Sequence, residues 1–162
     1  MLTLNEYTFL SESLDSDTGP IHRDDTLEQF AKFSLPEESH DSIRAYYNDT
    51  MDNNNLRLIK FEHPTGSVEY HLHSYDTMPG EKSGHNSKLG FLHALKLIYS
   101  DAKDEVNNGK SIVLQTPFKD QFERYMFIAN KLAKRHNRTV EDVGQQQLTT
   151  APFMTGHTIK IY

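Results

Sequence analysis

Three side chains that can bind protons or metal ions alternate along one short segment of the sequence. Glu69, His71 and His73 lie two residues apart within SVEYHLHSY, separated by aromatic and apolar residues. Because side chains alternate between the two faces of a β-strand, this spacing predicts that the carboxylate and both imidazoles share one face. Such a set can hold a zinc ion, with His63 or His85 completing the site. The alternative is a polar strand face that carries no metal.

A glycine-containing loop comes before the longest helical pattern of the chain. The stretch GEKSGHNSKLG contains Gly80, Gly84 and Gly90. Glycines allow backbone N–H groups to converge on an anion at a helix N-terminus, where the helix dipole is favourable. The spacing matches neither the P-loop nor the dinucleotide-binding fingerprint. The segment is therefore either a phosphate-binding loop or a turn that joins a strand to a helix.

Hydrophobic periodicity predicts the elements that position these residues. Strand patterns over residues 56–63 and 67–75 indicate a hairpin, and apolar residues at three- and four-residue steps indicate a helix over residues 87–107. SIVLQTP predicts a buried strand, DQFERYMFIANKLAKRH a second long helix and HTIKIY a final strand. A strand, helix, strand order implies a right-handed crossover and a parallel strand pair.

The remaining segments complete the predicted organisation. Residues 1–13 have helical spacing and precede an acidic stretch with a Gly-Pro step, so we expect a leader and linker over residues 1–24 and one domain over residues 25–162. LEQFAKF and EESHDSIRAYYNDTM predict two short helices, and residues 138–156 a connector. The fold class predicted is a single α/β (α+β) domain with a mixed sheet of four or five strands, a β-hairpin and two crossover helices.

Composition excludes several classes of function. The formal net charge of −6 and the pI near 5.8 argue against nucleic acid as a partner, since duplex binding requires a basic face. The absence of cysteine excludes disulfides and thiolate chemistry. The sequence has no apolar run long enough for a membrane span and no secretory signal pattern, which predicts an aqueous, intracellular setting with no membrane partner.

The order of strand, polar glycine-bearing loop, long helix, short apolar strand and second helix resembles the core of the GNAT N-acetyltransferase fold. The resemblance covers residues 56–136 and implies acetyl-CoA as the cofactor and N-acetyl transfer as the activity. It implies a general base at Glu69 and a general acid at Tyr125. By position, the loop that would hold the pyrophosphate of acetyl-CoA consists of Lys82, Ser83, Gly84, His85, Asn86 and Ser87.

The N-terminal peptide MLTLNEYTFLSE resembles the opening peptide of internal head proteins of T-even-type tailed phages. Thr3, Glu6 and Tyr7 match that pattern. The tripeptide that starts at Leu10 and ends at Glu12 resembles the site at which a phage prohead protease cuts, after the glutamate. The helix ERYMFIANKLAKRHN and the strands around it also resemble small virion-associated domains of tailed phages.

The function predicted from the sequence is therefore that of a non-enzymatic, soluble virion protein, either packaged in the head or a minor structural component. It would act through contacts with other virion proteins or a host protein, without a cofactor. We expect it in the virion, after synthesis in the host cytoplasm. The first alternative is a GNAT-type acyltransferase that uses acetyl-CoA, and the second is a metal-binding protein that uses the Glu-x-His-x-His strand face.

Overall fold

The computed structural model describes residues 3–75 and 87–162, and for residues 87 and 88 the backbone alone. Within these described residues, five α-helices and one 3-10 helix lie beside seven strands. The helices are α1 (Leu4–Ser13), α2 (Asp25–Ala31), the 3-10 helix (Glu37–Ser42), α3 (Asp49–Asn53), α4 (Ser87–Asn107) and α5 (Lys119–His136). The strands are β1 (His22–Arg23), β2 (Arg44–Tyr47), β3 (Leu56–Glu62), β4 (Ser67–Ser74), β5 (Ser111–Thr116), β6 (Val140–Gln147) and β7 (Thr155–Ile161).

All seven strands form one sheet in the order β1-β2-β3-β4-β5-β7-β6. β4 and β5 are parallel, and every other neighbouring pair is antiparallel. The parallel pair is joined through α4, as the strand, helix, strand pattern predicts. The mixed α/β fold class, the hairpin of β3 and β4, and the two long helices are thus confirmed.

Helices α4 and α5 lie on one face of the sheet, which we call the helix face. Val68 and Tyr70 of β4 and Ile112 and Leu114 of β5 pack there with the apolar sides of both helices in the main core. The apolar residues at every second position of the strands pack against those at every third or fourth position of the helices. Each element therefore buries the side that its sequence pattern predicts.

The other side of the sheet, the opposite face, is covered by different elements. Ile59 and Phe61 of β3 pack there with Leu27 of α2, Leu35 and Ile43 in a second, smaller core. Asp24 caps α2 by accepting a hydrogen bond from the backbone N–H of Leu27 at 2.9 Å. This second core lies beside β2 and β3.

Helix α1 is packed against the domain. Leu10 and Leu14 belong to the main core, and the buried carboxylate of Glu6 pairs with Arg124 of α5 at 2.8 Å. A capping box of Thr3 and Glu6 starts the helix. A helix of this length is marginal alone, so its order depends on these contacts.

The structure differs from the predictions at four places. The sheet has seven strands and not four or five. The second predicted short helix is replaced by the 3-10 helix, β2 and α3, because Ile43 and Ala45 are buried between sheet and helix, where tertiary packing overrides helical spacing. The predicted connector contains β6, whose exposed side chains hide the alternation that marks a strand, and the predicted linker contains β1.

Candidate functional site

The parallel strands β4 and β5 separate near the middle of the sheet. They pair over four residues, from Ser67 opposite Ser111 to Tyr70 opposite Leu114. β4 then continues to Ser74 alongside β3, and β5 continues to Thr116 alongside β7. Beyond Tyr70 and Leu114 the described carboxyl ends of the two strands are therefore not paired with each other, and we call the region between these ends the gap.

A group of side-chain and backbone contacts holds the β4 side of this gap. The backbone N–H of Tyr75, the residue after β4, donates to the carbonyl oxygen of Asn55 at 3.0 Å, and its hydroxyl donates to Asp24 at 3.0 Å. Arg57 also binds Asp24, at 3.1 Å, and lies 3.8 Å from the centre of the Tyr47 ring. These contacts hold the end of β4 against the segments around β3.

A carboxylate bound by two imidazoles lies on the opposite face beside the gap. Glu69 is 3% exposed and pairs through Oε1 with Nε2 of His63 at 2.8 Å. Its second oxygen, Oε2, is bound by Nε2 of His71, whose ring stacks on Phe61 with the planes 5° apart. Two residues of β4 and one from the turn after β3 thus form a His-Glu-His cluster.

The protonation of this cluster follows from its hydrogen bonds. Burial opposes ionisation of Glu69, but hydrogen bonds from His63 and His71 outweigh burial and lower the pKa of Glu69 to about 2. The hydrogen bond with Glu69 raises the pKa of His63, against the effect of burial. Because an ionised carboxylate can only accept, both imidazoles donate from Nε2, which leaves Nδ1 of each ring to accept a proton.

His73, the third residue of the alternating segment, contacts a different group of side chains. Its ring packs edge-on against Tyr75 with the centroids 4.9 Å apart, and burial lowers its pKa. Within residues 3–75 and 87–162, no three His, Cys, Asp or Glu side chains are arranged to hold a metal ion. The zinc site of Glu69, His71 and His73 stays a prediction, and His85, one of its suggested additional ligands, lies outside the described residues.

Tyr125 lies on the other side of the sheet from Glu69. It is 1% exposed in the main core, its ring is 6.0 Å from that of Phe91 near the start of α4, and burial raises its pKa. Tyr125 therefore keeps its proton and is a donor.

The predicted pyrophosphate-binding loop lies almost wholly outside the described residues. This applies to Lys82, Ser83, Gly84, His85 and Asn86. The backbone of Ser87 begins α4, which confirms that a long helix follows this segment directly.

The predicted processing residues lie on α1. Leu10 is fully buried in the main core, whereas Glu12 is exposed. Cleavage after Glu12 would separate Leu10 from Leu14, two core residues that hold this helix to the domain. Processing at this position stays a prediction.

Sequence patterns do not indicate how this site is completed. They suggest His63 only as an additional metal ligand, and they assign no role to Gln115 of β5 or to Thr149 of the turn between β6 and β7. Gln115 is 6% exposed although it is polar, and Thr149 approaches it from a segment predicted as a connector. A glutamine near the end of a mostly apolar strand is the available signal, since buried polar groups require partners.

Comparisons with known proteins add no relative. No family model matches the chain, and comparisons with curated proteins and with solved structures give no significant match. None of the helices in the described part of the chain is both long enough and apolar enough to cross a bilayer. What the chain does has therefore to be inferred from the geometry of its own residues.

Proposed function

We propose that the protein is a GNAT-like acyltransferase that moves an acyl group from acetyl-CoA to an amine. The observation that carries the proposal is the separation of β4 and β5 beside the buried Glu69 carboxylate and its two imidazoles. The order of strand, long helix, strand and helix, which is part of the pattern on which the resemblance rests, is also the order of β4, α4, β5 and α5. Both features support the proposal independently of any relative.

The gap suits an extended ligand that carries amides. Unpaired backbone groups at a strand edge bind a partner that supplies complementary N–H and C=O groups, as in strand addition. The pantetheine arm of acetyl-CoA is such a chain, and its thioester would enter between the two faces of the sheet. In parallel strands, crevices at the carboxyl ends are the usual position of ligands.

The side chains around the gap can perform the proton transfers. Glu69 orients the imidazole of His71 through Nε2, so that Nδ1 takes a proton from the acceptor amine. The amine nitrogen then attacks the thioester carbon, an amide bond forms and the C–S bond breaks. The departing thiolate takes the proton that His71 removed from the amine, which leaves a free thiol and a neutral His71. Tyr125, the general acid that the resemblance implies, is buried on the other side of the sheet. In this arrangement His71 is the base, and Glu69 holds it in place.

The first test is thermal unfolding of the full chain with and without millimolar acetyl-CoA, with ATP at the same concentration as the control nucleotide. A ligand that binds only the folded state raises the melting temperature by mass action, by several degrees at about 100 times its Kd. The second test is release of free thiol from acetyl-CoA in the presence of a panel of primary amines. The proposal would be overturned if acetyl-CoA caused no thermal shift and no amine led to thiol release.

Variants connect the activity to the cluster. His71→Ala and Glu69→Gln should lower kcat by about 100-fold, the usual contribution of an acid–base group, while acetyl-CoA still raises the melting temperature. Glu141→Gln is the matched control, because Glu141 is an exposed glutamate on β6. Equal activity in all three variants would exclude this cluster as the catalytic group.

A second proposal is the non-enzymatic role in a tailed-phage virion. It is favoured by the aromatic pair Phe30 and Phe33 at the end of α2, which are 64% and 89% exposed and 6.3 Å apart. Exposed aromatic side chains are enriched at protein interfaces. This role predicts that the chain co-sediments with phage particles assembled in cells that express it, and that Phe30→Ser with Phe33→Ser abolishes this. A chain that stays in the soluble fraction would contradict it.

A further inference from the structure

Both the nitrogen and the oxygen of the Gln115 side-chain amide, near the end of β5, form hydrogen bonds with the β6 and β7 hairpin. Its Nε2 donates to the carbonyl oxygen of Gln147 at 3.2 Å and to the hydroxyl of Thr158 at 3.0 Å. Its Oε1 accepts from the backbone N–H of Thr149 at 3.0 Å and lies 3.3 Å from the hydroxyl of that residue. A buried amide satisfied at both ends holds its partners in one arrangement.

The hairpin also approaches β5 closely at the same place. A Cβ atom built on Gly156 would lie 2.6 Å from Cδ2 of Leu148 and 2.7 Å from the carbonyl oxygen of Thr116. Only a glycine at this position of β7 allows the turn over residues 148–154 to lie directly against the end of β5. The amide of Gln115 therefore bonds the turn, and the lack of a side chain at Gly156 leaves room for the same turn beside β5.

This turn lies on the same face of the sheet as the His-Glu-His cluster. Gln115 follows Leu114, the pairing partner of Tyr70, so its side chain alternates to the face of Glu69 and His71. Thr149, held by Gln115, adds to the lowering of the Glu69 pKa by His63 and His71. Leu148 beside it is buried, whereas Phe153 at the far side of the turn is 77% exposed. The inner side of the turn therefore faces the protein, and its outer side lies in solvent. The turn is on the opposite face of the sheet, where the acceptor amine would approach His71.

We infer that Gln115 is a positioning residue, which holds the turn over residues 148–154 as the wall of the acceptor-binding side and places Thr149 beside Glu69. The inference rests on the proposed acyl transfer. Gln115 does not touch the reacting atoms; it acts through Thr149. Of its neighbours on β5, Leu114 packs in the main core and the hydroxyl of Thr116 donates to Gln121, whereas the amide of Gln115 reaches the turn.

The experiment compares Gln115→Met with the intact chain. Methionine keeps the unbranched shape of glutamine and removes both ends of the amide, so the strand can still pack. We expect the backbone amide of Thr149 to exchange its hydrogen about tenfold faster, while the amides of β5 and β7 keep their protection. Gln146→Met, an exposed glutamine of β6, is the matched control and should change neither. Unchanged exchange at Thr149 in Gln115→Met would overturn the inference.

Kinetics separate positioning from a general loss of stability. In Gln115→Met we expect KM for the acceptor amine to rise about tenfold with kcat changed by less than about twofold, since binding geometry and not the proton transfer is affected. Thr149→Val, which removes the hydroxyl alone and endangers the fold less, should reproduce part of the rise. A fall in kcat with an unchanged acceptor KM would overturn the role on the acceptor side.

The two hypotheses fail in different ways. Hydrogen exchange at Thr149 is measured in the resting protein and needs neither acetyl-CoA nor an acceptor. If the intact chain releases no thiol and shows no thermal shift, the acyltransferase proposal fails and the acceptor-binding role of the turn fails with it. If thiol is released and Thr149 is unaffected by Gln115→Met, the inference about Gln115 fails alone.

Discussion

On the helix face, β4 and β5 present apolar and aromatic side chains to α4 and α5, whereas on the opposite face the same strands present Glu69, His71 and Gln115. Both sets are buried. On the helix face burial itself is stabilising, because apolar surface leaves water. On the opposite face burial is tolerated because the Glu69 carboxylate, Nε2 of His71 and the Gln115 amide have hydrogen-bond partners. A chain keeps such a costly arrangement where it serves a purpose, and this favours the opposite face as the functional one.

The largest expected effect comes from removing apolar volume on the helix face. Leu95 of α4 is fully buried in the main core, so Leu95→Ala should lower the free energy of unfolding by about 3 kcal/mol through lost burial and a residual cavity. Leu89→Ala, in the same helix at 55% exposure, should change it by less than about 0.5 kcal/mol. Urea unfolding followed by circular dichroism measures both. Equal effects would mean that α4 does not pack as described.

A smaller effect, with a pH dependence, is expected at Glu69. Glu69→Gln should cost about 2 kcal/mol at pH 7, because two hydrogen bonds to a buried charge are weakened. The pKa of Glu69 lies near 2 in the folded chain and near 4.5 when unperturbed, so its contribution is present above 4.5 and is lost as the pH falls toward 2. The difference between the intact chain and Glu69→Gln should therefore shrink over that range. A difference independent of pH would contradict an ionised Glu69.

The smallest effect is expected at His63, with the opposite pH dependence. Its pKa is raised in the folded chain above the ordinary value of 6.5, so its contribution is complete below 6.5 and is lost as the pH rises through the raised value. His63→Gln should cost about 1 kcal/mol at pH 5.5 and close to nothing at pH 9. Thermal unfolding at the two pH values compares them directly. A larger cost at pH 9 would show that His63 contributes through packing and not through charge.

Local patterns were sufficient for the elements around the site. Period-two alternation predicted β3 and β4, three- and four-residue spacing predicted α4 and α5, and their order predicted the parallel pair. Each of these elements buries one side, and this burial makes apolar residues recur at a regular spacing in the sequence. β6 was not predicted because most of its side chains are exposed at a sheet edge. β2 was not predicted because its four residues lie inside a helix-like pattern.

The sequence alone also determined that Glu69 and His71 share a strand face, since strand geometry requires it. Only the tertiary structure decided which groups meet them. His63 reaches Glu69 because a tight turn returns the chain beside β4, and Gln115 and Thr149 meet across 34 positions of sequence because β7 pairs with β5. It also decided that β4 and β5 separate after four pairs. Strand pairing and the bonds at each strand end depend on contacts between distant segments, and no local period encodes those contacts.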